Sequence, residues 1–404
     1  MRAADRPIQR PPGARLLYVD QHGDLHHAPR SKLAEFLRPG DLVVANDAAT
    51  LPASLHGVHV RTGLAIEVRL AGKPSLAARD ARRFTAVVFG MGDYHTRTED
   101  RPLPPTLHVN DELTLGSLTA RVERMLGHPR LVALNFEVEL NELWRGLAAH
   151  GRPIQYAHMS EPLALWDVWT SIAGAPVAYE PPSAGFALDW QMLAAFDARG
   201  IEFATLTHAA GISSTGDPDL DRLLPFDEPY RIPAATEEAI AAALCEERRI
   251  VAIGTTVVRA LEHSAATFGS VAAGENVANL RLGAHTQLRV VDAILSGTHE
   301  PGTSHYDLLQ AFADTSVLRR ADEALNGAGY RTHEFGDSVL IERDSRRYSR
   351  GTGRRPSAEV FPEMQGLVGP AAPRILRGFP PASAHVVQES HRLSPARRLV
   401  CLRD

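Results

Sequence analysis

The sequence has few cysteines and no long apolar segment. Its 404 residues include two cysteines, Cys245 and Cys401, which lie far apart along the chain. Two such thiols cannot by themselves form a disulfide framework or a zinc knuckle, so we expect a reducing compartment. No apolar run approaches the roughly 18 residues that a membrane helix needs, and Met1 to Leu17 lacks the apolar core of a secretory signal. These absences predict a cytoplasmic protein that makes no contact with a membrane.

An excess of positive charge is also missing. The chain carries 43 Lys and Arg against 48 Asp and Glu, which gives a net charge of −5. Because proteins that grip nucleic acid with much of their surface are usually basic, an RNA partner would need a local basic patch. One candidate is the cluster Arg346, Arg347, Arg350, Arg354 and Arg355, although such a cluster is more typical of a solvated tail.

The composition that is present, 44% hydrophobic and 23% charged, is typical of a globular protein. The segment from Asp41 to Asp47 follows a Pro-Gly turn and predicts a buried strand. Between Pro176 and His263, short apolar strands alternate with helices, including a helix predicted from Asp189 to Arg199 with Asp189 as its N-cap. This alternation favours the α/β class, with a helix-covered, largely parallel sheet that binds ligands at the carboxyl ends of its strands.

A different pattern occupies the segment between these two regions. Leu64, Ile66 and Val68 alternate with other residues at a period of two, which predicts a half-buried strand. Similar short stretches follow, separated by turn residues, and their spacing predicts a small antiparallel β-barrel. We therefore predict an α/β catalytic domain from residues 1–56 and 148–343, an inserted barrel domain at 57–147, and an Arg- and Pro-rich extension at 344–404.

Several segments place polar or small residues at predicted strand ends, where side chains could meet a ligand. The sharpest is Gly254-Thr255-Thr256, which separates a buried strand from a helix that contains Arg259. Free amides at a helix N-terminus, with hydroxyl groups beside them, suit a carboxylate or a sugar hydroxyl, although many structural junctions look the same. The other segments supply Asn46, Asp47, Ser183, Ala184, Gly185, His208, Glu228, His299 and Asp337.

Most of these residues also have a structural interpretation. His208 could be an acid–base group or a buried structural histidine, Glu228 could be a ligand or a surface carboxylate, and Asp337 could serve a turn only. His299 and His305 lack a recognised metal-binding spacing and have no third ligand tied to them, so no metal is expected.

The order of the segments resembles the S-adenosylmethionine:tRNA ribosyltransferase-isomerase family of the queuosine pathway. Leu37 to Asp47 resembles that family's LxPGDLLVxND segment, and Pro182 to Phe186 resembles PTAGLHF. Ile253 to Glu262 matches VGTTxxRxLE almost fully. Val291 to Pro301 and Tyr330 to Asp337 are similar to VDxLITNFHLP and YRFFSYGD. The resemblance includes the inserted barrel, which the family carries at the same place.

The resemblance implies a transferase that uses S-adenosylmethionine as its cosubstrate. Family members attach the ribosyl portion of S-adenosylmethionine to the aminomethyl group of a 7-deazaguanine in tRNA. An isomerisation then gives the epoxycyclopentane of epoxyqueuosine, and adenine and methionine leave. Because the sulfonium acidifies the adjacent C5′ protons, a base and an electrostatically shaped pocket are physically sensible needs. No metal or redox cofactor is required.

The resemblance also implies roles for particular residues. His208, Glu228 and Asp47 are the expected catalytic groups. The residues expected to bind the substrates are Asn46, Ser183, Ala184, Gly185, Gly254, Thr255, Thr256, Arg259, His299 and Asp337. The expected partners are tRNA and S-adenosylmethionine, and a monomer is favoured.

Some family residues are replaced in this chain. The family has Thr-Arg-Val where this chain has Ala48-Ala49-Thr50, and Gly297 and Gly302 stand at the family's Asn and Lys positions. The missing Arg and Lys remove two charge-assisted contacts of the kind that hold phosphates and carboxylates. Two alternatives therefore stay open: a diverged S-adenosylmethionine-using enzyme with a non-tRNA acceptor, and a non-catalytic binding protein on the same scaffold.

Overall fold

The computed structural model describes residues 1–344, so the Arg cluster and all but the first residue of the predicted extension lie outside the described residues. The strands β1 to β20 of this part are, in order, Arg2–Ala3, Arg15–Val19, Leu25–Pro29, Leu42–Asn46, Ala49–Thr50, Ser54–His59, Leu64–Gly72, Arg83–Phe89, Glu112–Leu115, Leu118–His128, Leu131–Phe136, Gly151–Arg152, Pro176–Ala178, Glu202–His208, Glu228–Ile232, Ile250–Ile253, Gly274–Ala278, Ala293–Gly297, Arg331–Thr332 and Ser338–Glu342. The helices α1 to α8 are Leu140–His150, Leu165–Val168, Trp190–Ala198, Pro218–Asp221, Ala234–Cys245, Thr255–Phe268, Ser304–Leu309 and Thr315–Gly327.

The larger sheet has nine strands in the order β17-β15-β14-β4-β16-β18-β20-β2-β3. Its central strands β14, β4, β16 and β18 are parallel. On one side β15 pairs antiparallel with β14 and with β17, and on the other side β20 pairs antiparallel with β18. All five residues of β4 are buried, as expected for a central parallel strand that helices cover on both faces. The α/β class predicted from the sequence is confirmed, with a parallel centre and margins that combine antiparallel pairs with the parallel pair β2–β20.

Alternate residues of β4 feed two hydrophobic cores. Leu42 and Val44 point to the face that is covered mainly by α5, α6 and α8, whereas Val43 and Ala45 point to the face covered by α3 and the 3-10 helix Arg30–Phe36. The helix α3 begins where the sequence predicts, because the Asp189 carboxylate accepts a hydrogen bond from the Met192 amide at 2.7 Å. Both faces of the sheet are therefore shielded, and its strand ends remain available for a site.

The second large sheet is a closed antiparallel barrel. Its order is β6-β7-β8-β11-β10-β9, and the pairing of β9 with β6 closes the ring. The inserted barrel predicted from the sequence is confirmed. Its first strand begins at Ser54, and β12 adds to the outside of β6 after α1. The predicted domain boundaries at residues 57 and 147 stay a prediction. Within residues 1–344, no helix combines the length and apolar character needed to cross a membrane.

Candidate active site

A cleft opens at the carboxyl ends of the central parallel strands, the edge at which open α/β sheets bind ligands. It consists of two neighbouring cavities of about 100 Å³ and about 470 Å³. Their shared wall includes Glu180, Ser183 and Gly297. The smaller cavity reaches the start of α6, and the larger one extends to Arg97 on a loop of the barrel. The cleft therefore lies between the sheet and the barrel.

The smaller cavity is closed on one side by the N-terminus of α6. Gly254 begins this helix with φ 96° and ψ 154°, a conformation that side-chain-bearing residues rarely adopt. Thr255 and Thr256 line the cavity, and the amides of this first turn have no acceptor within the helix. The Asn46 side-chain amide donates to Thr256 Oγ1 at 3.3 Å and to the His208 carbonyl at 2.9 Å, which ties β4 to the helix start. Together these donors suit a carboxylate or sugar hydroxyls.

The segment Ser183–Ala187 forms a 3-10 helix opposite α6. Ser183 and Ala184 line the smaller cavity. A Cβ built on Gly254 would lie 3.5 Å from the Ala184 Cβ, so the two backbones approach closely. Gly185 faces the side chain of Thr170 and contributes to neither cavity wall.

Glu228 and Arg259 form a buried ion pair at the base of the smaller cavity. The guanidinium also donates to the carbonyls of Phe226 and Ala278, each at 3.2 Å, while the Gly211 amide donates to Glu228 Oε1 at 2.6 Å. Burial raises the pKa of the Glu228 carboxyl, and the Arg259 charge and the Gly211 hydrogen bond oppose that rise. The pair fixes the end of β15 against α6, and its positive partner faces the cavity.

His208 lies behind this pair, fully buried at the end of β14. Its Nε2 atom is 3.6 Å from Glu228 Oε2, and neither ring nitrogen has a hydrogen-bond partner among the described residues. Burial, followed by the charges of Arg259 and His263, holds the pKa of His208 well below its usual range. Because Arg259 already compensates Glu228, the imidazole is neutral. The structure thus places His208 outside both cavity walls, although the sequence made it a catalytic candidate.

The buried neutral state of His208 predicts acid sensitivity. A histidine in the unfolded chain titrates near pH 6.5. Below that pH the unfolded chain is therefore protonated at this residue, whereas the folded chain is not. Stability is therefore lost as pH falls from about 6.5 toward the depressed folded pKa. Lowering the pH from 7 to 5 should reduce the free energy of unfolding of both proteins. We expect this reduction to be about 1–2 kcal/mol smaller for the His208→Phe variant than for the native chain. Urea unfolding at both pH values measures this, and an unchanged difference would contradict the assignment.

His299 and His305 form a stacked pair at the junction of the two cavities. Their ring centroids are 4.8 Å apart, and His299 Nε2 is 2.9 Å from Ser296 Oγ. Burial and the neighbouring charges lower the pKa of both, to about 4 for His305. The predicted binding residue His299 therefore presents a neutral ring to a ligand.

Glu180 is a buried carboxylate that lines both cavities, and it was not among the residues predicted from the sequence. It lies two residues after the end of β13, and the Tyr156 hydroxyl and the Ser213 amide donate to its two oxygens. Burial and then the charge of Glu334 raise the pKa of Glu180 to about 7, against the effect of the two hydrogen bonds. A carboxyl that titrates near neutral pH can accept or release a proton during a reaction. Its place just before the Pro-Pro-Ser segment was the available signal.

Two predicted site residues, Asp47 and Asp337, serve the scaffold. Asp47 accepts hydrogen bonds from Thr205 Oγ1 at 3.0 Å and Thr207 Oγ1 at 2.7 Å, which joins β4 to β14. Asp337 accepts from the backbone amides of Arg15 and Arg331, both at 2.8 Å, and fixes the turn between β19 and β20. Neither lines the two cavities, so of the three catalytic candidates the structure brings Glu228 to the cleft wall.

The replaced positions have different surroundings. Ala49 is buried in β5 and lines neither cavity. Gly297 lies in the walls of both cavities, and a Cβ there would meet the His299 ring no closer than 3.8 Å. A side chain would fit at Gly297, so its absence enlarges the space for a ligand.

This chain is similar to known proteins along most of its length. The model of the family described as queuosine biosynthesis protein matches residues 1–341. The S-adenosylmethionine:tRNA ribosyltransferase-isomerase of Sorangium cellulosum is 32% identical over 84% of this chain and 94% of its own length. The protein of the same name from Synechococcus elongatus is 28% identical over 85% and 94%. The crystal structure of an S-adenosylmethionine tRNA ribosyltransferase from Thermotoga maritima, 22% identical, matches with a TM-score of 0.44 over 84% of this chain and 95% of that one. On the family match and the full-length relatives, this chain belongs to the queuosine biosynthesis protein family.

Proposed function

We propose that this protein transfers the ribosyl moiety of S-adenosylmethionine to 7-aminomethyl-7-deazaguanine in tRNA and isomerises it to epoxyqueuosine. The observation that carries the proposal is one cleft in which the start of α6, the Ser183–Ala187 helix, the Glu228–Arg259 pair and Glu180 meet. The curated relatives cited above, which carry the name of this activity, support it. Adenine release only with a different acceptor would favour the first alternative, and binding without any release would favour the second.

The smaller cavity has the donors that S-adenosylmethionine needs. We assign its carboxylate or its ribose hydroxyls to the first turn of α6, because the free amides and the helix dipole favour negative charge and hydroxyl oxygens. Gly254 permits close approach of the backbone, and Thr255 and Thr256 add hydroxyl groups.

Glu180 is our candidate for the base that removes a C5′ proton. It lines both cavities, and burial raises its pKa to about 7. A carboxylate with a pKa near the working pH is an effective proton acceptor. The Tyr156 hydroxyl and the Ser213 amide hold its two oxygens, so the carboxylate needs little reorganisation to act. Glu228 is less suited because the positive charge of Arg259 already compensates its carboxylate in a buried ion pair.

The larger cavity would take the acceptor nucleotide. It borders the barrel at Arg97, and His299 and His305 offer ring faces against which a base could stack. A further cavity of about 400 Å³ meets the cleft at Arg259 and is lined by Arg222 and Arg281, whose charges suit phosphate groups. We place the protein in the cytoplasm as a monomer, with residues 57–147 as its barrel domain.

The helix start gives a direct test of S-adenosylmethionine binding. Replacing Thr255 and Thr256 together with Val keeps their shape but removes both hydroxyls. Since a hydrogen bond contributes about 1 kcal/mol, we expect the Kd for S-adenosylmethionine to rise about tenfold or more. Calorimetry measures the affinity, and thermal unfolding confirms the fold. Thr267→Val, an exposed residue in the last turn of the same helix, is the matched control. Equal affinity in the double variant would remove the helix start from the site.

A further inference from the structure

A second cluster of potential ligands lies in the wall of the larger cavity, apart from the helix start. His158, His333 and Glu334 place one nitrogen or oxygen atom each within 4.8 Å of one another. We propose that these three side chains bind a divalent transition-metal ion of the zinc type. The inference goes beyond the proposed function and does not depend on it.

The three side chains come from two segments that are far apart in sequence. His158 follows β12, whereas His333 and Glu334 form the turn after β19 that Asp337 supports through Arg331. The rings of His158 and His333 are stacked with centroids 4.2 Å apart. His158 Nε2 lies 3.6 Å from Glu334 Oε2, close to the separation of about 3.4 Å between neighbouring ligands of tetrahedral zinc.

The local bonding of His158 and His333 leaves their side chains available. His158 Nε2 is buried and has no hydrogen-bond partner in the described part of the chain, and 3.6 Å to Glu334 is too long for a hydrogen bond. His333 adopts φ 67°, a left-handed conformation that costs a histidine energy and persists where the surroundings require it. In this turn the His333 ring stacks on the His158 ring, and the Gly336 amide donates a hydrogen bond to the His333 carbonyl.

The composition and the open side of the cluster select the class of ion. Two imidazoles and one carboxylate suit Zn²⁺, Co²⁺ or Ni²⁺, whereas Mg²⁺ and Ca²⁺ prefer oxygen ligands. All three residues line the larger cavity, so an ion held by them would keep a coordination position open toward that space. That position would take an oxygen or a ring nitrogen of a molecule bound in the cavity. Neither segment has a recognisable ligand spacing alone, so the sequence does not indicate this cluster.

Metal titration of the full-length chain, after removal of any histidine tag and of bound metal with chelator, tests the site. We expect one Zn²⁺ per chain by calorimetry, a tetrahedral Co²⁺ absorption spectrum, and a higher Tm with Zn²⁺ but not with Mg²⁺. His158→Ala, His333→Ala and Glu334→Gln should each lower the affinity at least about tenfold. Glu334→Gln keeps the side-chain shape, so it answers the question even if a histidine variant folds poorly.

The control is His26→Ala, which removes an exposed histidine that lies 3.9 Å from the Asp20 carboxylate on the far edge of the sheet. It should bind Zn²⁺ and Co²⁺ as the native chain does. The site would be overturned if no ion binds at one per chain, or if binding survives in all three cluster variants, which would assign it to surface histidines. Neither result would bear on S-adenosylmethionine binding at the helix start.

Discussion

The Arg259→Met variant is expected to lose about 3–5 kcal/mol of its free energy of unfolding. The substitution leaves the Glu228 carboxylate buried without its charged partner, and it leaves the carbonyls of Phe226 and Ala278 without their donor. An unpaired charge in the interior costs more than the pair itself contributes, which is why the loss should be large. Urea unfolding measures it directly.

A second substitution tests whether the uncompensated charge of Glu228 causes the loss of stability in the Arg259→Met variant. Adding Glu228→Gln to Arg259→Met removes the uncompensated charge, so the double variant should recover part of the stability, a coupling that a double-mutant cycle reports. Arg121→Met is the matched control, because Arg121 makes a two-bond ion pair with Glu137 on the barrel surface, where solvent compensates both charges. A similar stability change in the Arg121 and Arg259 variants would contradict the role of the buried pair.

Glu180→Gln is expected to lower turnover by about 10²–10⁴-fold, the usual contribution of a general base. The amide keeps the shape of the side chain but cannot accept the proton. S-adenosylmethionine affinity should change little, because the binding donors lie at the start of α6. Single-turnover rates and calorimetry on the same samples separate the two effects.

The exposed Glu238 of α5 supplies the control, since Glu238→Gln makes the same chemical change away from the cleft. It should retain native turnover. If Glu180→Gln turns over at the native rate, the base must be another group. If it loses affinity and turnover equally, Glu180 binds the substrate and does not take part in proton transfer.

Local patterns of the sequence were enough to predict the sheet, the barrel and the helix start. The buried strand that ends at Asn46 and the junction at Gly254 lie at adjacent strand ends in the sheet, and the carboxyl edge of a parallel sheet brings such ends together. The order of the segments carried the family resemblance, which the full-length comparisons confirm.

The remaining site residues could not be identified from sequence because their roles depend on distant neighbours. Asp47 and Asp337 look like ligands at strand ends, but nearby donors use their oxygens. Glu180 resembles any carboxylate before a proline, and only its burial and its contact with Tyr156 distinguish it. His208 sits at the predicted edge, yet the Glu228–Arg259 pair separates it from the cavity.

The central claim is that the cleft transfers the ribosyl group of S-adenosylmethionine to a tRNA base. The most direct measurement is to incubate the purified protein with S-adenosylmethionine and tRNA that carries 7-aminomethyl-7-deazaguanine, then to follow adenine release and the mass of the modified nucleoside. We expect adenine to be released only when this tRNA is present. We also expect the modified nucleoside to gain the mass of the epoxycyclopentane group. Adenine release only with a different acceptor, or no release by a protein that binds both substrates, would contradict it.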